Sequence, residues 1–554
     1  MVDRQRVVVV TGGGGGIGAA IAEELGRNGA FVVTMDPLVS VDGTEQLPVP
    51  EETTAGRIVA AGGSARASRV SVTDADGVCA LFDGLVNELG GLDAVVNVAG
   101  ITRPTSFARG SDEDWLGVLS VHLDGYLNIL NAALPIMAAS GRGRILGVTS
   151  GSGWRPADTG AYGCAKRAVA ALTWQLGRHA PPGVVVNAVS PIAATRMVTA
   201  ALSRARPPAA KSSGKARPSA TGGLSLASMP TPEALGPLGA HLVSDAFSWC
   251  SGEVIFAGGS EIAVIDEPRL LEVVRTEGVG SLRHVFETVT TGALVAAEVK
   301  QRTSGGSNAR FPTVFEDAAP EPWPEAAIAS CLIVTDRPDV EPVLRAALAS
   351  RGVTCSTIDV TGASAGFDAA AAALASTVDR VGPIDGVVLA LTGNQSPGEA
   401  SAWAGVLAEH EGIVRQLHTD ASWARAVSDY SERADRAVRL VTVTDATTAG
   451  GRSRAQAAAQ HARSARGATD DRVLAFTVGL ETPWADAAPA IGDIVAHLLC
   501  SDAAAPLSGA ELAVGAGWFG LRSHPHPSGS ITFGGPAIPD WFDNALRDIL
   551  GRSR

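Results

Sequence analysis

The sequence predicts an α/β protein made of two tandem doubly wound parallel sheets, the second a degenerate copy of the first. Three observations carry this. Short β-branched runs alternate with segments of about a dozen residues that have helical character. A glycine-rich turn, Thr11-Gly12-Gly13-Gly14-Gly15-Gly16-Ile17-Gly18, follows directly on the first such run. Residues 330–525 then repeat the order of apolar runs of the first half.

Val7 to Val10 is continuous and β-branched, as in a parallel strand buried on both faces. After the glycine turn, Ala19 to Leu25 reads as a helix. Strand, glycine turn and helix start in that order present backbone N–H groups and a helix N-terminus to a pyrophosphate. A second strand, Phe31 to Met35, ends at Asp36. That carboxylate suits adenosine ribose hydroxyls and repels a 2′-phosphate, which favours NAD over NADP. Further strands are expected at Ala67–Val72, Leu92–Gly100, Arg144–Ser150 and Gly183–Ser190, with a last short one at Glu253–Ala257. Small residues at the end of the Leu92–Gly100 run let a flat ring approach the backbone.

The 554 residues carry a net charge of −13, which argues against general nucleic-acid binding. The composition, 46% hydrophobic and 18% charged, suits a globular chain. Six cysteines are scattered without metal-ligand spacing, so free thiols and no metal are expected. The N-terminal apolar run is too short for a signal peptide or a membrane span, and a cytoplasmic location is expected.

The chemistry concentrates in Ala161-Tyr162-Gly163-Cys164-Ala165-Lys166. On a helix Tyr162 and Lys166 share a face. An ammonium beside a phenol favours phenolate, so Lys166 is expected to lower the Tyr162 pKa and fit it for proton exchange with an alcohol or ketone. Ser150 delivers a hydroxyl at the end of its strand.

These motifs resemble the short-chain dehydrogenase/reductase family over residues 5–265. The family's Thr-Gly-x-x-x-Gly-Ile-Gly falls on Thr11, Gly12, Gly16, Ile17 and Gly18. Its Asn-Asn-Ala-Gly appears as Asn97-Val98-Ala99-Gly100, its catalytic serine as Ser150, and its Tyr-x-x-x-Lys as Tyr162 and Lys166. The resemblance implies a Rossmann-like fold and hydride transfer between a nicotinamide and a secondary alcohol or ketone. Tyr162 would be the acid/base, Lys166 would also bind the nicotinamide ribose, and Ser150 would polarise the substrate oxygen. The cofactor would lie along Gly12, Gly16, Ile17, Gly18, Asp36, Val72, Asn97, Ala99, Gly100, Tyr162, Lys166, Pro191, Ile192 and Thr195.

The chain departs from the family pattern in places. His122 stands where the family keeps a catalytic Asn. It is expected either to hold a relay water and titrate in the working pH range, or to be structural. Its Val-His-Leu setting is similar to members acting on hydroxyacyl thioesters. Ile192 replaces a glycine beside the nicotinamide, and Ser71 replaces an Asp, with Val72 next to the adenine. An insertion, Pro37 to Thr54, is placed to cover the adenosine end. A basic, acid-free segment, Ser203 to Pro230, falls at the family's substrate lid and suits an anionic thioester, or is a solvated loop.

In the second half Leu332–Thr335, Gly382–Val388, Trp403–His410 and Leu440–Asp445 echo Val8–Thr11, Gly90–Val96, Trp115–His122 and Ile145–Ser150, with Asp359 near the Asp36 position. The chemistry is gone: Thr335-Asp336-Arg337-Pro338 replaces the glycine turn, and Asp445 replaces Ser150. The domains expected are 1–267, catalytic; 268–328, a linker; 329–524, degenerate; and 525–554, a tail that covers a neighbour's pocket. Family members assemble through the helices bearing the Trp115 and Tyr162 motifs, so an intramolecular pseudo-dimer is expected, pairing further into a homo-oligomer. The expected function is NAD-dependent interconversion of a secondary alcohol and a ketone, on a 3-hydroxyacyl thioester or an apolar, steroid-like alcohol. An NAD(H)-binding sensor or scaffold is the alternative.

Overall fold

The structure, a computed structural model, describes residues 4–205, 229–276, 291–302, 325–361, 366–393, 402–535 and 537–553. The first lobe runs β1 (Val7–Thr11), α1 (Gly16–Arg27), β2 (Phe31–Met35), α2 (Thr54–Ala60), β3 (Ser64–Ser68), α3 (Ala75–Leu89), β4 (Ala94–Asn97), α4 (Asp112–Leu119), α5 (Gly125–Ser140), β5 (Gly143–Val148), α6 (Gly160–His179), β6 (Val184–Pro191), α7 (Arg196–Ala205), α8 (Gly236–Leu242), β7 (Val254–Gly258) and β8 (Glu261–Asp266). The second lobe runs β9 (Leu270–Arg275), α9 (Thr291–Arg302), β10 (Ser330–Thr335), α10 (Glu341–Ala349), β11 (Thr354–Asp359), α11 (Phe367–Val381), β12 (Gly386–Ala390), α12 (Ala402–Glu409), α13 (Ile413–Arg433), β13 (Val438–Asp445), α14 (Ala449–Ala468), β14 (Val473–Leu480), α15 (Trp484–Cys500), β15 (Glu511–Gly515) and β16 (Trp518–Arg522). Two more elements, β17 (His526–Thr532) and α16 (Phe542–Ser553), close the chain.

Both sheets are parallel through their centres. The first has the order β3-β2-β1-β4-β5-β6-β7-β8-β17, and the second β11-β10-β12-β13-β14-β15-β16-β9. Strand for strand the second repeats the first, without a counterpart of β3 among the described residues. Register makes the echo specific. Ala94 pairs with Arg144 and Gly386 with Arg439, which puts Asp445 at the position of Ser150. The carboxylate of Asp336 accepts from the Thr392 N–H and hydroxyl across the mouth of the second sheet, where the first lobe has its glycine turn.

Four sequence expectations change. The third strand is Ser64–Ser68, not Ala67–Val72, because α2 ends at Gly62-Gly63 and the chain is already extended from Ser64. Val254–Gly258 is not the last strand of its sheet, since β8 and β17 add antiparallel to its edge. The segment expected as a linker contributes β9, which pairs antiparallel with β16 of the second sheet. The tail is not a separate segment but builds the first lobe's own core: β17 pairs with β8, and the i, i+4, i+8 stripe Phe542, Leu546 and Leu550 is buried there. The chain that leaves each lobe thus supplies the outer strand of the other. The residues between Arg206 and Met229 lie outside those described, as do 277–290 and 303–324, so most of the expected basic lid falls there. Among the described residues no helix is long and apolar enough to cross a membrane.

The lobes meet along α6 and α14. Sixteen of the twenty residues of α6 are buried, so the helix is covered by its own sheet on one side and by α14 on the other. The alanine-rich face of α14 permits this close approach. At the centre lies Arg167, fully buried. It donates to Gln456 at 2.9 Å and to Glu511 at 2.7 Å, and its guanidinium lies 3.1 Å from His524 Nδ1. Gln456 also donates to Glu511. At the rim Gln460 donates to the Arg155 carbonyl at 2.9 Å, and the His461 ring stacks edge-on against Trp115 at 5.3 Å.

Removing one partner of a buried ion pair leaves the other charge desolvated and alone. Arg167→Met is therefore expected to lower stability by about 3–5 kcal/mol. The double variant Arg167→Met, Glu511→Met should lose much less. Chemical denaturation of the four corners of this cycle measures the difference.

Candidate active site

A cavity of about 660 Å³ opens at the carboxyl ends of β1, β2, β4, β5 and β6, where the strand order reverses between β1 and β4. Its floor is the glycine turn. The backbone takes positive φ at Gly12 (63°) and Gly16 (54°), values that L side chains rarely adopt. The residue before α1 is Gly15, which brings no capping oxygen, so no side chain shields the first turn of the helix. A Cβ on Gly15 or Gly16 would enter near-open space by Arg196 and Thr195, whereas one on Gly18 would strike the Gly12 carbonyl. Gly15 and Gly16 therefore leave room for an anion, and Gly18 serves close packing.

At one end, Asp36 accepts from the Gly14 N–H at 3.0 Å and the Leu38 N–H at 2.8 Å, one bond to each oxygen. The remaining lone pairs are available to ribose hydroxyls. Val72, Ala99, Gly100, Pro191 and Thr195 line the cavity. Asn97 does not: it accepts from Thr11 Oγ1 at 2.8 Å and ties β4 to β1. Ile192 does not line it either. Its N–H is bonded to the Ala257 carbonyl at the sheet edge, and Ala193 takes the wall position. These features fit a dinucleotide: an open helix start for its phosphates, a carboxylate for its ribose, and small residues for its rings.

The other end carries the reactive groups. The Ser150 hydroxyl hydrogen-bonds the Tyr162 hydroxyl. Lys166 lies one turn along α6, its ammonium 5.7 Å from the centre of the Tyr162 ring and donating to the Val148 carbonyl at 2.7 Å. Thr149 anchors the turn by donating to the Lys166 carbonyl at 2.6 Å. The expected tuning of Tyr162 by Lys166 takes a different form. Burial raises the Tyr162 pKa, and only the bond to Ser150 opposes it. Burial also pulls Lys166 down to about 7, so the ammonium that was to stabilise a phenolate is itself only partly charged near neutrality.

His122 sits in one turn of π-helix, Ser120–Asp124, between α4 and α5. Its Nε2 lies 2.8 Å from the Ile101 carbonyl. A carbonyl only accepts, so Nε2 carries the proton and Nδ1 is a bare acceptor. Nδ1 is buried with no partner among the described residues. The ring meets that of Tyr162 edge-on at 5.2 Å. Burial first, then the charge of Lys166, hold His122 well below its usual pKa. It is neutral in the working range, and does not titrate there as one sequence reading had it.

Two parts of the wall were not singled out as site residues from the sequence. Arg196 directly follows Thr195 and places its guanidinium beside Gly15; a cation at that spacing was the available signal. Arg103 donates to the Asp42 carbonyl and to the Glu113 carbonyl, both at 2.8 Å. With the Thr102 N–H bonded to the Val41 carbonyl at 2.9 Å, it ties the 37–54 insertion to the loop after β4. Val39, Val41 and Gly43 of that insertion line the cavity.

The unfolded chain keeps the Lys166 proton to about pH 10, whereas the folded protein releases it near 7. Between those values the unfolded state binds more protons, so stability from this group rises with pH, by up to about 1.4 kcal/mol per pH unit. In protein without added dinucleotide, Lys166→Met should remove that rise. Denaturation midpoints across this pH range read it directly.

Residues 6–206 match the family described as short chain dehydrogenase. The cis-4-hydroxycyclohexanecarboxylate dehydrogenase of Sinomonas cyclohexanicum is 34% identical over 263 residues, 47% of this chain and 98% of that protein. The 3-oxoacyl-(acyl-carrier-protein) reductase of Haemophilus influenzae is 32% identical over 189 residues, 34% of this chain and 73% of the relative. The peroxisomal hydratase-dehydrogenase-epimerase of Neurospora crassa is 29% identical over 310 residues, 56% of this chain but only 31% of that longer protein. The cavity geometry and these likenesses agree: the chain belongs to the short-chain dehydrogenase/reductase family.

Proposed function

We propose that the protein is an NAD-dependent oxidoreductase that interconverts a secondary alcohol and a ketone in its first lobe. The observation that carries this is the convergence of Ser150, Tyr162 and Lys166 on one cavity with an uncapped helix start and Asp36. A bound nicotinamide dinucleotide supplies or accepts the hydride. Tyr162, kept protonated by burial, gives its proton to the carbonyl oxygen in reduction and takes it back in oxidation. Ser150 hydrogen-bonds the same oxygen. Lys166, with a pKa near neutrality, passes protons toward Tyr162 and binds a ribose hydroxyl. The bare Nδ1 of His122 accepts from a water or a substrate hydroxyl.

Asp36 supports NAD as the cofactor, since a 2′-phosphate there would face a carboxylate already drawn toward the glycine turn. For substrate we infer a 3-hydroxyacyl or 3-oxoacyl thioester, which the name of the Haemophilus relative supports. An apolar cyclic alcohol is the second reading, favoured by the Sinomonas relative's name. Among the described residues the second lobe has no equivalent site, and it acts as a fixed partner for α6, an internal pseudo-dimer.

Tyr162→Phe should lower turnover by about 10²–10⁴-fold while NADH still binds. The check is reduced-nicotinamide absorbance over a panel of alcohols and hydroxyacyl thioesters, beside a fluorescence titration of NADH. Turnover unchanged in this variant would contradict the assignment. Asp36→Asn should narrow the ratio of kcat/KM for NAD over NADP by about tenfold or more; an unchanged ratio would remove Asp36 from cofactor choice.

A further inference from the structure

The charged groups lining the first-lobe cavity are Asp36, Arg103, Lys166 and Arg196. Three of them are engaged. Asp36 accepts from the Gly14 and Leu38 N–H groups, Arg103 donates to the Asp42 and Glu113 carbonyls, and Lys166 donates to the Val148 carbonyl. Arg196 is different. Among the described residues it donates no hydrogen bond and forms no ion pair. A nitrogen of its guanidinium lies 3.5 Å from where a Cβ on Gly15 would stand, over the glycine turn.

The place of Arg196 in its own helix breaks a local rule. It is the first residue of α7, and the first turn of α7 holds no acid. A helix start carries partial positive charge, so a cation there is disfavoured. A second helix start faces it. α1 opens at Gly16 with no side-chain cap, and the methyl group of Thr195, the residue before α7, lies 3.8 Å from where a Gly16 Cβ would stand. Two helix starts and a guanidinium thus share one space, and Asp36 is not paired with any of the three cations of the lining. An anion between the two helix starts turns that repulsion into attraction. Little else secures the start of α7: none of residues 196–200 is buried. Met197 and Val198 nevertheless form part of the cavity wall.

We propose that Arg196 is a ligand of the dinucleotide pyrophosphate and, through it, the latch that fastens α7 to the bound cofactor. The inference rests on the cofactor site proposed above and adds a residue and a role to it. The planar guanidinium suits two phosphate oxygens at once, and the start of α1 offers N–H groups from the opposite side. Fastening α7 fixes Met197 and Val198, so the phosphates help to shape the wall beyond them.

Fluorescence titration of the full chain with NADH tests this over a charge series at position 196. Arg196→Lys should bind NADH more weakly than the wild type, Arg196→Gln about tenfold or more weakly, and Arg196→Glu more weakly still. In displacement of NADH, ADP should lose the same factor in Arg196→Gln, whereas adenosine, which has no phosphate, should compete alike with both proteins. Without nucleotide, Arg196→Gln should melt no lower than the wild type, since the side chain is exposed and its charge opposes the helix dipole. NADH affinity unchanged along the series would overturn this inference and leave the cofactor site standing. Adenosine weakened as much as ADP would overturn it by placing Arg196 on the nucleoside, and a lower melting point in Arg196→Gln would do so by showing a structural role. A wild-type chain that binds no NADH would end the functional reading as well.

Discussion

One buried ion pair ties the two halves of this molecule together. Arg167 has no exposed surface and reaches out of the first lobe to Glu511 and Gln456 of the second. A guanidinium in such a place is tolerable only when its charge and its donors are matched. That requirement fixes α14 against α6, in register. Arg167 follows Lys166 directly, so the same helix turn that enters the cavity on one side is held by the second lobe on the other. The exchanged outer strands, β9 and β17, reinforce the arrangement by making each sheet incomplete without chain from beyond the other lobe.

On the proposed function, this gives a copy without chemistry a role. A catalytic helix needs a rigid backing if a phenol, a hydroxyl and an amine are to meet within hydrogen-bond tolerance. The degenerate lobe provides that backing inside one chain, where its effective concentration does not depend on dilution. Its own positions differ from those around the first lobe's cavity. Asp336 bridges the place of the glycine turn, and Asp445, in the position of Ser150, accepts from Thr447.

Much of this was legible in the residues. The β-branched runs of β1, β2 and β10 read correctly because a strand buried on both faces has few alternatives. Tyr162, Lys166, Ser150 and Asp36 share the cavity as their spacing and strand-end positions implied. What the chain did not disclose is of two kinds. Strand exchange pairs residues more than 240 positions apart, such as Arg269 with Ser523, and no local pattern encodes a partner at that distance. Ionisation states depend on burial, which a motif cannot report. Side-by-side placement of Tyr162 and Lys166 suggested a depressed phenol, but desolvation acts on both groups and prevails. His122 likewise looked titratable until its one donor bond and its burial were known.

The most direct measurement is a crystal structure of the full chain with NADH. The account predicts one dinucleotide per chain, in the first lobe, with its phosphates over Gly15 and Gly16, a ribose at Asp36, and Tyr162 and Lys166 facing the nicotinamide. A dinucleotide in the second lobe, or Tyr162 and Lys166 turned away from the bound ring, would contradict it.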